Sequence, residues 1–215
     1  MKLYGYFRSS AAYRVRIALN LKGLDYEHVS VHLLKDGGQQ FSESYKSLNP
    51  TSLIPTLVDG ELAIGQSMAI LEYLEETHPK PALLPSDAAG RARVRAIAQT
   101  IACDIHPLNN LRVLKHLKNG MGLDEETKND WYRHWIDVGL NSLEAMLANS
   151  PATGRYCHGD EVTLADVVLV PQVFNARRFN CDLSTMPTVT RIADTCSELD
   201  AFILAEPARQ PDAEA

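Results

Sequence analysis

The segment "MKLYGYFRSSAAYRVRIALNLKGLDYEHVSVHL", residues 1–33, is the part of the sequence that decides the fold. Residues 2–7 alternate weakly and are rich in aromatic side chains, and residues 26–33 alternate with a period of two, as half-buried strands do. Between them, residues 12–23 carry apolar side chains at helical spacing, and Gly23 stands where a helix commonly ends. The pattern predicts a strand–helix–strand unit at the start of the chain.

A hairpin and a second helix are predicted to follow. The segments "IPTLV" and "ELAI" flank Asp59-Gly60, a dipeptide favoured in tight hairpin turns. Residues 66–79 then carry apolar side chains at helical spacing, and the proline-rich residues 78–87 are typical of a linker between domains. We therefore predict an α/β domain over residues 1–80.

The second half of the sequence shows only helical spacing. Its apolar residues recur every three to four positions in residues 88–119, 124–149, 163–179 and 187–203. This pattern predicts an all-helical domain over residues 88–208, followed by a loose tail at residues 209–215.

Composition limits the classes of partner. The 27 acidic residues outnumber the 21 basic ones, which gives a net charge of −6 and argues against nucleic-acid or anionic-membrane partners. The four cysteines are widely spaced, which favours reduced thiols, and we find no histidine and cysteine spacing typical of a metal site. With no pattern of a signal peptide or membrane span, we expect a cytoplasmic location.

Ser9 and Ser10 stand directly before the first predicted helix. A serine at this position commonly accepts a hydrogen bond from an unpaired backbone N–H and so caps the helix. The same hydroxyl, at the positive end of the helix dipole, would also stabilise a thiolate or another anion. The sequence leaves both interpretations open.

Gln66 and Ser67 begin another helix immediately after a strand, which predicts a second anion-binding corner. Pro55 stands at the start of a strand, where it is either a sheet-edge proline or part of a cis peptide bond. A cis bond would turn the backbone groups of Ile54 toward a ligand.

Two features of the helical half carry competing interpretations. Pro107 is predicted to kink its helix, with His106 and Asn110 four residues apart on one face, where they either contact a ligand or pair between helices. Arg177 and Arg178 end a helix, where they either complement its dipole or bind a carboxylate. By contrast, "TLADVVL" at 163–169 fits a capping box and indicates folding rather than catalysis.

Six motifs, in this order, resemble the zeta class of glutathione transferases: "RSSAAYRVRIAL", "LNPTSLIPTL", "GQSMAILEYLEE", "CDIHPLNN", "TLADVVLVPQV" and "ARRF". The resemblance covers nearly the whole chain. It implies the glutathione transferase fold, with an α/β thioredoxin-like N-terminal domain and an all-α C-terminal domain, and a homodimer.

The resemblance also implies roles for individual residues. Ser9 would lie beside the glutathione sulfur, with Ser10 supporting it. The glutathione-binding residues would be Ile54, Pro55, Gln66, Ser67, His106 and Asn110. The carboxylates of a small dicarboxylate substrate would be bound by Arg8, Arg112 and Arg178. The sequence departs from the family pattern at Ala11, where cysteine is usual, and at Leu53, where many members have glutamine.

Members of this class include maleylacetoacetate and maleylpyruvate isomerases, so the implied activity is glutathione-dependent cis–trans isomerisation of a maleyl keto acid in the catabolism of aromatic compounds. We expect maleylacetoacetate as the substrate, with maleylpyruvate of the gentisate pathway as the alternative. A transferase that conjugates glutathione to electrophiles and a ligand-binding module without chemistry remain as competing functions.

Overall fold

The computed structural model describes residues 1–214, which form two compact units. The first unit comprises Met1–Leu83 and the segment from Glu198 onward, and the second comprises Leu84–Ser197. The division after Leu83 falls inside the predicted linker. Residues 198–208, which the sequence analysis assigned to the helical domain, are grouped with the first unit instead.

The first unit contains the predicted strand–helix–strand unit, the hairpin and the helix after it. Its elements up to the linker are β1 (Lys2–Gly5), α1 (Ser10–Leu21), β2 (Glu27–Ser30), α2 (Glu43–Leu48), β3 (Thr56–Asp59), β4 (Leu62–Gly65) and α3 (Ser67–Thr77). The hairpin turn lies one residue further along than predicted, because Asp59 still pairs with Leu62. Gly60, with a φ of 60°, therefore opens a two-residue loop, a position that favours glycine.

The four strands form one mixed sheet in the order β2-β1-β3-β4. β1 is parallel to β2 and antiparallel to β3, and β3 is antiparallel to β4. The register places Tyr4 opposite Thr56, and Thr56 opposite Gly65. As a result, the carboxyl ends of β1, β2 and β4 and the amino end of β3 lie along one edge of the sheet.

The second unit is helical, as predicted. Its α-helices are α4 (Ala88–Gln99), α5 (Leu111–Lys115), α6 (Glu125–Ala148), α7 (Leu164–Arg178) and α8 (Pro187–Ser197). Helix α7 is the core helix of this unit, since its residues from Leu164 to Val173 are buried. The predicted capping box is confirmed, with the Asp166 carboxylate accepting from the backbone N–H of Thr163 at 2.8 Å.

The last helix, α9 (Asp200–Ala205), packs on α1 within the first unit. The Nε of Arg16 donates to the carbonyl oxygen of Ala205 at 3.0 Å. The chain beyond α9 stays ordered against the same unit: Gln210 is buried, and the Asp212 carboxylate accepts from a backbone N–H. The prediction of a loose tail is therefore wrong for residues 209–214, and its last residue, Ala215, lies outside the described residues.

Among residues 1–214, no helix combines the length and the apolar character that crossing a membrane requires.

Candidate active site

The sheet edge defined by the strand register gathers the predicted site residues of the first unit. Residues 6–9 leave this edge after β1, and residues 66–67 leave it after β4. Residues 54–55 arrive at the same edge just before β3. Three segments that are far apart in the sequence therefore meet because antiparallel pairing aligns the start of one strand with the ends of its neighbours.

Ser9 is the N-cap of α1. Its Oγ accepts from the backbone N–H of Ala12 at 3.2 Å, and its carbonyl oxygen accepts from the N–H of Tyr13 at 2.8 Å. The capping interpretation is thus confirmed, but it does not exclude the second one. A hydroxyl has one proton and two acceptor lone pairs, so Ser9 can cap the helix and still donate its proton outward. Ser10 is buried in the first turn.

The corner before α3 combines an unusual backbone with a buried cation. Gln66 has a φ of 67°, in the left-handed region that residues other than glycine rarely adopt, and the residue is exposed. Ser67 is buried, and its Oγ accepts from Nη1 of Arg14 at 3.2 Å. Because a guanidinium only donates, the Ser67 proton is directed to another acceptor. The corner therefore offers a hydroxyl donor backed by positive charge, which suits a carboxylate.

Arg14 was missed by the sequence reasoning. The available signal in the sequence was its position in a helix whose neighbouring positions are apolar. In the structure, Arg14 is only 1% exposed and Arg16 is 0% exposed. Charged side chains are almost never fully buried unless they are paired, so two arginines in such a helix indicate internal hydrogen bonding rather than a solvated face.

The peptide bond between Ile54 and Pro55 is cis, one of the two alternatives that the sequence left open. Pro55 is buried and Ile54 is half-buried. The carbonyl oxygen of Leu53 accepts from the Tyr45 hydroxyl at 2.7 Å and from the Asn49 amide at 2.9 Å, which anchors the chain just ahead of this bond.

Arg8 lies at the same edge, between Phe7 and the capping serine. Its guanidinium carbon is 4.7 Å from the centre of the Phe7 ring, and its Nη2 is 3.8 Å from a carboxylate oxygen of Glu214. The side chain is partly exposed, so its charge can reach a bound anion. Glu214 shows that a carboxylate comes within reach of this guanidinium.

In the second unit, the predicted relation between His106 and Asn110 is wrong. Residues 100–105 form a π-helical stretch, His106–Asn109 form a 3-10 turn, and Asn110 has extended backbone angles of φ −67° and ψ 144°. The two residues therefore do not share the face of one continuous helix. Asn110 instead caps α5, its Oδ1 accepting from the N–H of Arg112 at 3.1 Å. The irregularity that Pro107 predicted is present, but the regular α-helix already ends at Gln99, and Pro107 lies at the start of the 3-10 turn.

Arg178 and Arg177 differ in their surroundings although they are neighbours at the end of α7. Arg177 pairs with Asp194 at 2.6 Å, whereas the guanidinium carbon of Arg178 lies 5.3 Å from the centre of the Phe179 ring. That ring stacks on Tyr132 with centroids 3.7 Å apart. Arg177 is thus committed to a surface ion pair, and Arg178 is held against an aromatic face.

Tyr132 also connects this end of α7 to the segment that contains the other predicted residues. Its carbonyl oxygen accepts from the Asn109 amide at 2.9 Å. Burial raises the pKa of its hydroxyl, and the nearby charge of Arg178 opposes that rise. Arg112 is exposed on the short helix that follows Asn110. Within the second unit, Asn109 and Phe179, the neighbour of Arg178, therefore both contact Tyr132 of α6.

Comparison with known proteins gives a consistent result. The family described as "Glutathione S-transferase, N-terminal domain" matches residues 3–82. A probable maleylacetoacetate isomerase of Vibrio cholerae is 54% identical over 98% of this chain and 97% of its own. A maleylpyruvate isomerase structure, described as a bacterial zeta-class glutathione transferase, is 50% identical, with a TM-score of 0.97 and full coverage of both chains. A maleylacetoacetate isomerase of Methylobacterium extorquens AM1, solved with malonate and glutathione, is 44% identical, with a TM-score of 0.96 and full coverage of both chains.

Proposed function

The chain belongs to the zeta class of glutathione transferases, and from this premise we propose that it is a glutathione-dependent cis–trans isomerase that converts maleylacetoacetate to its fumaryl isomer. The observation that carries the proposal is the single sheet edge at which the Ser9 cap, the Ile54–Pro55 segment and the Gln66–Ser67 corner meet. Each of these segments offers donors or backbone groups of the kind that bind a small acidic peptide.

The residues of this edge fit glutathione. The amino ends of α1 and α3 each carry a partial positive charge, which suits one thiolate and one carboxylate. Ser67, backed by Arg14, is the donor we assign to the γ-glutamyl carboxylate, with Gln66 beside it. Ile54 is the residue whose backbone we assign to the peptide's cysteine. From the second unit, we assign His106 and Asn110 to glutathione as well, on the basis of the family resemblance.

When bound, glutathione supplies a thiolate that can add to the conjugated cis double bond and leave again after rotation. We propose that the Ser9 hydroxyl donates a hydrogen bond to the sulfur, and that Ser10 fixes the first turn of α1. Because a free thiol with a pKa of about 8.5 is mostly protonated at neutral pH, a hydroxyl donor at a helix amino end raises the thiolate fraction.

The substrate of such a reaction is a dicarboxylate, and we assign its carboxylates to Arg8, Arg112 and Arg178. Arginine binds carboxylates through two parallel N–H donors, and its charge also stabilises the enolate that develops during addition. The ion pair of Arg177 with Asp194 argues against that neighbour as the binding residue. Ala11 stands at the position of the usual cysteine, so the proposed chemistry requires no protein thiol there.

The test is to follow the ultraviolet absorbance of maleylacetoacetate and, separately, of maleylpyruvate, with glutathione far below the substrate concentration. We expect many turnovers per glutathione and none without it. The ratio of the two kcat/KM values identifies the substrate, since specificity is a difference in transition-state binding. A larger kcat/KM for maleylpyruvate would identify maleylpyruvate as the substrate instead.

Two further outcomes separate the competing functions. Consumption of one glutathione per substrate would identify a conjugating transferase. Binding of glutathione without turnover of either maleyl keto acid or of an electrophile such as an α-halo acid would identify a ligand-binding module.

We also propose a cytoplasmic homodimer. The resemblance to the zeta class supports the dimer, and light scattering coupled to size-exclusion chromatography tests it, with the monomer mass of 23.8 kDa as the contrary result.

A further inference from the structure

The segment after α9 reaches the same sheet edge as the candidate active site. Its course is set by Gln210, which is buried and whose Nε2 donates to the carbonyl oxygens of Leu204 and Glu206, both at 2.9 Å. Beyond this anchor, Asp212 and Glu214 turn toward the residues that follow β1 and β2. The two carboxylates thus lie close to the chain that leads into Ser9.

Asp212 is almost enclosed by donors. Its Oδ2 accepts from the backbone N–H of Phe7 at 3.1 Å and from the Ser30 hydroxyl at 3.0 Å. Its Oδ1 is 3.0 Å from Nε2 of His28, and the side chain is only 10% exposed. An ionised carboxylate accepting from a backbone N–H forms one of the stronger classes of protein hydrogen bond.

The carbonyl of Phe7 is held as well. It accepts from Nη2 of Arg16 at 3.0 Å, while Nε of the same guanidinium donates to the carbonyl oxygen of Ala205. Burial lowers the pKa of Arg16 only to about 10, so the side chain remains a cation at neutral pH. Arg16 therefore ties Phe7 to the end of α9, and Asp212 ties Phe7 to the segment beyond it.

These two contacts fix two successive peptide planes. The N–H of Phe7 belongs to the peptide that precedes its Cα, and the carbonyl belongs to the peptide that follows. Fixing both planes fixes the two soft dihedral angles of Phe7, because the peptide bond itself is planar. Those angles determine the direction in which Arg8 and Ser9, the next two residues, leave the sheet.

We propose that Asp212 is a positioning residue for the isomerisation, since its carboxylate, acting with Arg16, fixes the backbone of Phe7 and so aims Arg8 and Ser9. This role rests on the proposed function. Glu214 supports the same arrangement, because it pairs with Lys35 at 2.6 Å and lies 3.2 Å from Nε2 of His32, which holds the end of the segment over the edge. The C-terminal segment is thus part of the active-site framework.

The test compares Asp212→Ala, Asp212→Asn and the control Ser30→Ala. The alanine variant loses both the acceptor and the charge, the asparagine variant keeps a neutral acceptor for Phe7, and the control removes another partner of Asp212 but leaves Phe7 bound. Four quantities are measured: kcat, KM, the pKa of the bound glutathione thiol by its ultraviolet absorbance, and the urea midpoint of unfolding.

We expect kcat to fall about tenfold to a hundredfold in Asp212→Ala, the size of loss that a misplacement of about 1 Å produces. Asp212→Asn should lose less, because an amide oxygen is a weaker acceptor than a carboxylate. In both variants the thiol pKa should rise, and in Ser30→Ala it should remain at the wild-type value. The proposal would be overturned if Asp212→Asn, and Asp212→Ala where it folds, kept the wild-type kcat and thiol pKa and showed only a lower urea midpoint.

If Asp212→Ala does not fold, Asp212→Asn decides the question by the same readouts. The thiol titration requires glutathione but no maleyl substrate. It therefore tests the role of Asp212 even if the wild-type protein turns over neither maleyl keto acid, a result that would refute the proposed function separately.

Discussion

Replacement of Ser9 by alanine separates the two roles that its hydroxyl can play. In the structure, the Oγ accepts from the N–H of Ala12 at 3.2 Å, which leaves its own proton available for donation at the amino end of α1. Alanine removes the acceptor and the donor together. A matched substitution is therefore needed that removes only a helix cap, and the chain contains one.

Ser42 caps α2 in the same way, with its Oγ accepting from the N–H of Tyr45 at 3.3 Å. Both helices belong to the first unit, but α2 does not come directly after a strand that ends at the candidate site, since β2 ends at Ser30 and α2 begins at Glu43. Loss of a serine cap costs about 1 kcal/mol of stability, so Ser9→Ala and Ser42→Ala should lower the free energy of unfolding by similar amounts.

Only Ser9→Ala should change the bound thiol. A hydrogen bond to a charged group contributes about 1.5–3 kcal/mol, and about 1.36 kcal/mol corresponds to a change of one in pKa. The thiol pKa of bound glutathione should therefore rise by about 1 to 2, and the thiolate fraction at neutral pH should fall by up to about tenfold to a hundredfold. We expect kcat/KM to fall by a similar factor.

The assay is a pH titration of the thiolate absorbance with saturating glutathione, together with urea unfolding of the three proteins. If Ser9→Ala and Ser42→Ala lose equal stability and share the wild-type thiol pKa, Ser9 is a cap only. The proposed hydrogen bond from Ser9 to the sulfur would then be ruled out, while the role of Ser9 as a helix cap would remain.

Three further perturbations test other parts of the site. Arg178→Ala should lower kcat/KM for the dicarboxylate about a hundredfold while glutathione affinity stays within about twofold. The control Arg177→Ala should leave both quantities unchanged. Equal losses in the two variants would contradict the assignment of Arg178 to a substrate carboxylate. Gln66→Gly should relieve an unfavourable φ and raise the free energy of unfolding by about 1 kcal/mol, yet weaken glutathione binding in calorimetry; unchanged affinity would remove Gln66 from the site. Burial lowers the pKa of His28 below its ordinary value of 6.5, and the charge of Asp212 opposes this shift. As the pH falls through 6.5, the unfolded chain therefore binds more protons than the folded chain, and the urea midpoint should drop. His28→Gln should show a smaller drop, and an identical pH dependence would assign the acid sensitivity to another group.

The sequence predicted those features that depend on local patterns. The strand–helix–strand unit, the hairpin and the Thr163 capping box each follow from residues within a few positions of one another, and each is confirmed. Pro107 correctly indicated an irregular backbone, although the regular helix already ends at Gln99, before the proline. The geometry after it was not predictable, because a proline does not determine whether the chain continues as a 3-10 turn or opens at a new cap such as Asn110.

The contacts that the sequence did not reveal are long-range and polar. Asp212 and Phe7 are separated by 205 positions, and no periodicity connects them. The segment around Asp212 has the composition of a tail, rich in small, polar and proline residues, so its local pattern indicated disorder. Its order comes from the groups that it meets at the sheet edge: one backbone N–H and one serine hydroxyl that donate to it, and one imidazole 3.0 Å away.

The strand register brings together the residues of the first unit that we propose to bind glutathione, although no contact among them was visible in the sequence. A two-residue loop at Gly60 sets β4 against β3, and that pairing places Gly65 opposite Thr56, directly beside the Ile54–Pro55 segment. A slip of one residue would turn every side chain of β4 to the other face of the sheet and move the start of α3 away from the amino end of β3. The position of Gln66 and Ser67 therefore depends on a turn at the opposite end of the β3–β4 hairpin. The same reasoning applies to Asp212, which acts on Ser9 only through the backbone of Phe7.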